Sequence, residues 1–158
     1  MRWPLDRNLA DFIESPVMQI IGTAGLSLRP EIGRGVGAWC DDLTTIHLVV
    51  SAWQWPQTIA NLRDNAQVAV TFARPTDYVS YQIKGTATVR EAEPAEIERS
   101  SLYTVAIVSS LMKLGLMPEM IAPWLSKRQA MLVSIDPSSV FVQTPGAKAG
   151  TRVWNSAP

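Results

Sequence analysis

Residues 78–89 alternate apolar and polar side chains more regularly than any other part of the chain. One set of alternate positions holds Val79, Tyr81, Ile83, Ala87 and Val89. The other set holds Ser80, Gln82, Lys84, Thr86 and Thr88. Because successive side chains of a strand point to opposite faces, this period predicts a long strand with one buried and one solvated face. Such a strand is typical of antiparallel sheets, so we expect a fold built on antiparallel pairs.

Short apolar runs separated by turn residues predict further strands on both sides of this segment. The predicted strands are 17–23, 31–40, 45–51, 68–72, 131–135 and 140–143, with a turn at 136–138 between the last two. The predicted helices are 6–14, 56–65, 94–113 and 119–126. This order indicates a mainly β fold, a small antiparallel barrel with α-helical additions. We expect one domain over 1–158, with a helical insertion at 94–130 and a C-terminal tail at 145–158.

The charge balance and the cysteine count narrow the classes of function. The 158 residues include 14 Lys and Arg and 14 Asp and Glu, so the chain has no basic surplus for nucleic acid. The longest apolar run, 102–112, is shorter than the roughly 20 residues that span a bilayer, which predicts no membrane segment. A single cysteine cannot form an intrachain disulfide, so we expect a cytoplasmic protein. Its neutral charge favours association with a second copy.

Metal binding and nucleophilic catalysis find little support in the residue types. The chain has one histidine, His47, and one cysteine, Cys40, with no carboxylate cluster at ligand spacing, so we predict no metal site. A Cys40–His47 pair across a hairpin at 31–51 lacks a third residue to orient it. We therefore expect both side chains to be structural or surface residues.

Residues 33–37 read Gly-Arg-Gly-Val-Gly. On a regular strand the three glycines share one face, and a face without side chains lets a flat group such as a cofactor ring lie against the backbone. The alternatives are an aromatic neighbour, Trp39 or Trp53, packed on the glycines, or a β-bulge. Arg34 between the glycines either meets an anion or is a surface charge.

Trp53 and Trp55 flank the predicted start of the second helix. The free N–H groups and the dipole at such a terminus favour anions, and aromatic walls suit a flat phosphorylated ligand. Packing at the barrel mouth or in an oligomer interface explains the two tryptophans equally well.

Four segments, in this order, resemble the flavin-binding split barrels related to pyridoxamine 5'-phosphate oxidase. They begin at Met18 (Met-Gln-Ile-Ile-Gly-Thr), Arg29 (Arg-Pro-Glu-Ile-Gly-Arg-Gly-Val-Gly), Ile59 (Ile-Ala-Asn-Leu-Arg-Asp-Asn-Ala-Gln-Val-Ala-Val-Thr-Phe) and Ile83 (Ile-Lys-Gly-Thr-Ala-Thr-Val). The resemblance covers about residues 8–145. It implies a six-stranded antiparallel split barrel that forms a homodimer, with FMN in the cleft between the subunits.

The resemblance also implies which residues contact the cofactor. They are Arg34, Gly35, Val36, Gly37, Val50, Ser51, Ala52, Gln57 and Thr58. Residues 34–37 would form the floor under the flavin ring, and residues 50–52 would contact the cofactor from the end of the third strand. Gln57 and Thr58 would lie beside the phosphate. Such proteins usually have a basic pair at the last two positions. A charge-assisted hydrogen bond contributes about 1.5–3 kcal/mol, so the neutral pair predicts weaker FMN binding unless Arg34, Thr58 or the helix terminus compensates.

Two functions of different classes follow from the resemblance. In the first, the protein is an FMN-dependent oxidoreductase acting on a small-molecule substrate, and the flavin rather than a protein acid or base carries the hydride. In the second, it is a non-catalytic binding module that has lost FMN or binds another flat ligand, such as the deazaflavin F420 or haem. His47 is then the one histidine available as an axial haem ligand. No catalytic residue is assigned in either case.

Overall fold

A computed structural model describes residues 5–155 and shows one antiparallel sheet with helices around it. The strands are β1 (Met18–Ala24), β2 (Pro30–Trp39), β3 (Ile46–Ser51), β4 (Gln67–Ala73), β5 (Ser80–Glu91), β6 (Ala130–Val142) and β7 (Arg152–Asn155). The helices are α1 (Arg7–Glu14), α2 (Pro56–Asn65), α3 (Pro94–Lys113) and α4 (Pro118–Ile121), and a 3-10 turn, Ala122–Trp124, follows α4.

The sheet closes into a barrel through a pairing between distant parts of the chain. The strand order is β3-β2-β1-β4-β5-β6-β7, and β3 also pairs with the first half of β6. Ile46 lies opposite Ile135, and Ser51 lies opposite Ala130. β7 pairs with the second half of β6, beyond this closure. The prediction of a mainly β, six-stranded antiparallel barrel is therefore confirmed.

The barrel interior is filled by apolar side chains from the strands and from two helices. Ile21, Val70 and Ile83 are fully buried, and each such side chain contributes about 1.5–3 kcal/mol on leaving water. The first helix begins at Asp6, whose carboxylate accepts the Asn8 N–H at 2.7 Å, and it buries apolar residues against this core. The second begins at Pro56 and also packs on the core.

The long alternating strand has the predicted two faces. β5 begins at Ser80 rather than Tyr78 and extends to Glu91. Ile83 and Ala87 are buried, whereas Lys84, Thr86 and Thr88 on the other face are exposed. The other face is covered only at the start of the strand, where Ser80 is buried and Gln82 is half-buried.

The predicted turn at 136–138 is wrong. β6 runs without interruption through these residues, and its register against β5 shifts beside Gly85, which lies opposite Pro137. A bulge is one of the few places where a paired strand tolerates proline, because proline has no N–H for the ladder. Gly85 permits the close approach, since a Cβ atom there would overlap the carbonyl oxygen of Asp136.

The predicted insertion and tail have more structure than the sequence pattern indicates. The helix predicted at 119–126 is a short α4 followed by the 3-10 turn, in which Pro123 lies. The tail contains β7, and its Trp154 packs against the main core of its own chain.

α3 packs one side on β2 and leaves the other side open. Its start is fixed by a capping box between Glu93 and Glu96. Ile107 and Leu111 are buried with Ile121 of α4 in a separate apolar cluster. Between residues 5 and 155, no helix has both the length and the apolar character needed to cross a membrane.

Candidate functional site

β2 has a bulge in the middle of the predicted flavin floor. Gly35 lies opposite Val50 and Ala38 opposite Leu48, so residues 36–37 together oppose a single residue of β3. The extra residue reverses the alternation of side chains beyond it. The expectation that three glycines share one face is therefore wrong, and the alternative of a bulge is confirmed.

Hydrogen bonds from other elements hold the bulge. Gly37 has a φ of +148°, a conformation that side chains disfavour, and its N–H donates to Gln19 Oε1 at 3.0 Å. The Ser100 hydroxyl of α3 donates to the carbonyl of Val36. Gln19 and Ser100 are both buried, so these bonds satisfy main-chain groups that water cannot reach. Sequence reasoning missed both residues, since neither lies near β2 in the chain.

The space beside the other two glycines is taken by side chains of the protein itself. A Cβ atom on Gly33 would lie 2.5 Å from Thr58 Oγ1, and one on Gly35 would overlap Gln19 Oε1. Close approach is the reason for glycine at both positions, but the group that approaches is protein. No open glycine surface is left for a ring at these two residues.

The two valines among the predicted cofactor residues are both buried. Val50 faces the barrel core. Val36 faces the other way and is only 1% exposed. It lies in a second apolar cluster with Trp39, Val49 and Leu132, against which Ala92, Leu125 and Ala130 pack. The end of the helical insertion thus covers the β2 surface on which the ring was expected.

The same end of the insertion is bonded to the start of α2. The Ser51 hydroxyl donates to the Arg128 carbonyl at 2.6 Å, and the Ala52 N–H donates to the Gln129 carbonyl at 3.0 Å. The Gln54 side-chain amide donates to the carbonyl of Pro123. Ser51 and Ala52 therefore position a loop of the insertion beside the helix terminus.

Two arginine–tryptophan contacts flank this junction. The Arg34 guanidinium lies 4.9 Å from the centre of the Trp124 ring, and the Arg128 guanidinium lies 4.8 Å from that of Trp53. We call these four residues the Trp–Arg patch. Trp53 precedes Gln54 and Trp124 follows Pro123, so the Gln54–Pro123 bond joins the two halves. Within residues 5–155, neither arginine forms an ion pair.

Of the four residues of the patch, only Arg34 was among the predicted cofactor residues, and Trp53 was considered only as an aromatic wall at the helix start. Trp124 and Arg128 lie in the insertion, and no local pattern shows which strand an insertion covers. The signal that could have indicated them is the basic pair Lys127-Arg128 shortly after a tryptophan. The Lys127 ammonium donates to Ser101 Oγ at 3.0 Å, and burial lowers its pKa. Arg128 is therefore the member of the pair that belongs to the patch.

The two residues predicted beside the phosphate have different surroundings. Thr58 is buried against Gly33. Gln57 is exposed, and its amide donates to Asn61 Oδ1 at 2.8 Å. The buried Asn61 in turn donates to Thr23 Oγ1 at 3.1 Å. Only Gln57 of this pair presents its side chain to solvent, beside a polar depression of about 350 Å³ at the β1–β2 turn.

Cys40 and His47 do not form a catalytic pair. Cys40 is buried in the core, and burial together with the nearby Glu14 carboxylate raises the pKa of its thiol to about 12. His47 Nδ1 lies 3.0 Å from Ser134 Oγ, on the neighbouring strand. Among the described residues, no group of three or more His, Cys, Asp or Glu side chains is arranged to hold a metal ion.

Comparison with solved structures identifies the architecture. HupZ from Group A Streptococcus aligns over 92% of this chain and 99% of its own, with 17% identity and a TM-score of 0.59. A protein provisionally described as a pyridoxamine 5'-phosphate oxidase, from Lactobacillus delbrueckii, aligns over 87% and 93%, with 13% identity and a TM-score of 0.55. The fold is the split barrel of the pyridoxamine 5'-phosphate oxidase-like proteins.

Other split barrels similar to this one differ in what their names say they do. An F420 reductase aligns over 82% of this chain and 93% of its own, with 13% identity and a TM-score of 0.58. HutZ, the heme storage protein of Vibrio cholerae, aligns over 89% and 95%, with 16% identity and a TM-score of 0.52. No family model and no curated protein matches the sequence. At these identities the comparison establishes the split barrel, and one such scaffold hosts many activities.

The Trp–Arg patch contains groups that could bind the phosphate of a nucleotide. Arg34 and Arg128 are free of carboxylates within residues 5–155, and a guanidinium binds phosphate through two parallel hydrogen bonds. The expected floor for the ring is covered within the chain, because Val36 lies under the insertion. Within the Trp–Arg patch, Trp53 is 52% exposed, whereas Trp124 is half-buried with the Arg34 guanidinium over its ring.

Proposed function

We propose that this protein binds a flat, anionic, aromatic ligand at the Trp–Arg patch, and that the ligand is FMN. With the cofactor bound, the protein is an oxidoreductase of the pyridoxamine 5'-phosphate oxidase-like group acting on a small molecule. The observation that carries the proposal is the pair of arginine–tryptophan contacts joined by hydrogen bonds between α2 and the insertion. A cytoplasmic location belongs to the same proposal, because the single cysteine forms no intrachain disulfide.

The patch supplies what the neutral Gln57–Thr58 pair lacks. A phosphate dianion needs charge-assisted donors, and Arg34 and Arg128 provide two guanidinium groups, one on each side of the Gln54–Pro123 hydrogen bond. No side chain caps the first turn of α2, so its free N–H groups and its dipole also favour an anion. Basic residues from β2 and from the insertion thus replace a basic pair on the helix.

The chemistry of the reaction would come from the ligand. A bound flavin accepts and donates hydride, and the protein contributes binding, orientation and exclusion of water. Trp53 and Trp124 offer flat faces for stacking, and their arginine partners place positive charge next to those faces. The proposal assigns no protein acid or base.

A homodimer is part of the proposal, and α3 is the surface we assign to it. Leu102 and Val105 are each 70% exposed and Met112 is 48% exposed, all on one side of the helix. Residues 98 and 113, near the two ends of this row, are Glu and Lys. Two copies of α3 packed antiparallel would set each glutamate against the lysine of the other copy while covering the apolar row.

A second function is favoured by the covered floor. If the ring of a flavin cannot be accommodated above Val36, the protein is a non-catalytic module that binds another flat ligand at the same patch, with F420 or haem as the candidates. The F420 reductase and the heme storage protein among the similar structures make these two ligands the natural probes. His47, the one histidine of the chain, lies beside Trp39 and Ser134 and not at the patch, so haem bound at the patch would have no imidazole ligand from this chain.

The test is a titration of the purified protein with FMN, followed by gel filtration with absorbance and light scattering. We expect flavin to co-elute at about one per subunit with a species of twice the chain mass. Arg34→Ala and Arg128→Ala should each weaken binding about tenfold to a hundredfold, the loss of one charge-assisted bond. Arg63→Ala, on the exposed side of α2, is the control and should leave the affinity unchanged.

Three outcomes would contradict the flavin assignment. If no FMN is retained and F420 or haem is retained instead, the binding-module alternative replaces it; a Soret band identifies haem. If FMN is retained but both arginine variants bind like Arg63→Ala, the site is elsewhere. If the protein elutes with the mass of one chain at micromolar concentration, the dimer part of the proposal is wrong.

A further inference from the structure

A cavity of about 690 Å³ lies at the end of the barrel beside α1, away from the Trp–Arg patch. One helix, the start of β5, the end of β6 and β7 enclose it. Its volume is within the range of small-molecule sites, which run from about 300 to 1,000 Å³. None of its lining residues belongs to the patch or to the predicted cofactor residues.

Aromatic rings form much of the wall. Phe12 and Tyr81 meet edge to face, with ring centres 5.2 Å apart, and Trp154 of β7 also lines the cavity. The guanidinium of Arg74 already lies 5.3 Å from the centre of the Phe12 ring. The protein thus already places one cation, the Arg74 guanidinium, on an aromatic ring of this cavity.

The net charge of the side chains that line the cavity is negative. Arg74 is paired with Asp77 through hydrogen bonds from Nε at 3.0 Å and from Nη2 at 2.8 Å, so its charge is partly offset by that carboxylate. Asp6 and Asp11 also line the cavity. Within residues 5–155, the Asp6 carboxylate accepts the Asn8 N–H, and neither Asp6 nor Asp11 forms an ion pair.

We propose that this cavity binds an organic cation with an apolar body, of the aryl- or alkylammonium class. The ammonium would lie between the Asp11 carboxylate and the aromatic rings, and the apolar part would be covered by Trp154 and the aliphatic wall. Quaternary and primary ammonium groups are recognised by this combination of aromatic faces and carboxylates. An anion of the same size would face the Asp6 and Asp11 carboxylates, so we expect it to bind more weakly than the cation.

Benzyltrimethylammonium is a suitable probe, and phenylacetate is the matched anion. The full-length protein is titrated with each at low salt while the indole N–H signals are followed by NMR. Comparison with Trp154→Phe assigns the signal of Trp154. We expect benzyltrimethylammonium to shift the Trp154 signal at millimolar or lower concentration, while the signals of Trp53 and Trp124 stay in place. Phenylacetate should bind at least tenfold more weakly.

Asp11→Asn keeps the shape of the side chain and removes its charge. We expect it to weaken binding of benzyltrimethylammonium about three- to fivefold, the usual effect of one exposed charge pair. Asp64→Asn, on the exposed side of α2, is the matched control and should have no effect. Equal binding of cation and anion, an unchanged affinity in Asp11→Asn, or movement of the Trp53 or Trp124 signal instead of Trp154 would each overturn the proposal.

Discussion

Replacing Gly85 by alanine tests the bulge that joins the two halves of β6. A Cβ atom at this position would overlap the carbonyl oxygen of Asp136, and Pro137 Cα would lie 3.0 Å away. Both obstacles are main-chain atoms of the paired strand, which cannot rotate aside as a side-chain tip can. The substitution must therefore push β5 and β6 apart where they pair.

The cost can be worked from two opposing effects. Overpacking typically destabilises by about 1–3 kcal/mol, and an obstacle made of backbone places Gly85→Ala at the upper end, about 3 kcal/mol. Alanine also lowers the conformational entropy of the unfolded chain, which stabilises the folded protein by about 0.4–1 kcal/mol. The net loss is about 2 kcal/mol. With a urea slope of about 2 kcal/mol per molar, the unfolding midpoint should fall by about 1 M.

The matched control is Gly22→Ala in β1. A Cβ atom there would lie 3.6 Å from the carbonyl oxygen of Ala69, an ordinary contact, so the midpoint should stay the same or rise slightly. Both variants are compared with the parent protein by urea unfolding at one protein concentration, because association also stabilises. If Gly85→Ala unfolds within about 0.2 M of Gly22→Ala, residues 136–138 form a turn after all and our reasoning fails.

Two other predictions concern buried groups. The pKa of the Cys40 thiol is raised to about 12 from 9.0, so a thiol reagent should label folded protein at pH 8 far more slowly than urea-unfolded protein. The thiol holds its proton more tightly in the folded protein than in the unfolded chain. Its contribution to the free energy of unfolding is therefore complete below pH 9 and is lost as the pH rises toward 12. Cys40→Ala should remove this part of the pH dependence of the urea midpoint. Ser100→Ala should cost about 1–2 kcal/mol by leaving the Val36 carbonyl unpaired, whereas Ser27→Ala in the exposed β1–β2 turn should cost under about 0.5 kcal/mol. Equal losses in urea unfolding would contradict the role of Ser100.

The strands that the sequence predicts are those whose pattern is local. The alternation around Ile83 needs no knowledge of the neighbouring strand, because a half-buried sheet imposes its period on each strand separately. The Asp136-Pro137-Ser138 segment reads as a turn for the same local reason, since these residues favour turns. What keeps it in a strand is Gly85 on β5, and no short-range rule connects positions about fifty residues apart.

The residues of the candidate site also differ in how clearly a local sequence pattern indicates them. Arg34 could be identified from its place between glycines, and Trp53 from its place before a helix. For Trp124 and Arg128 the sequence offers only the basic pair that follows a tryptophan, because their place before α2 depends on hydrogen bonds between residues about seventy positions apart. The bulge at residues 36–37 likewise depends on Gln19 and Ser100, which come from two other elements.

Closure of the barrel between β3 and β6 also sets the order of events during synthesis. β3 ends at Ser51, and the strand that covers its free edge begins at Ala130, so roughly 80 residues separate the two. At about 5–20 residues per second, the ribosome takes roughly 4–16 s to bridge that gap. For this interval the nascent chain carries Ile46–Val50, an apolar segment without proline or net charge, on an unpaired edge. During those seconds the edge of β3 is open to pairing with another unfolded chain, so the closing strand β6 ends a period of exposure to aggregation in every copy made.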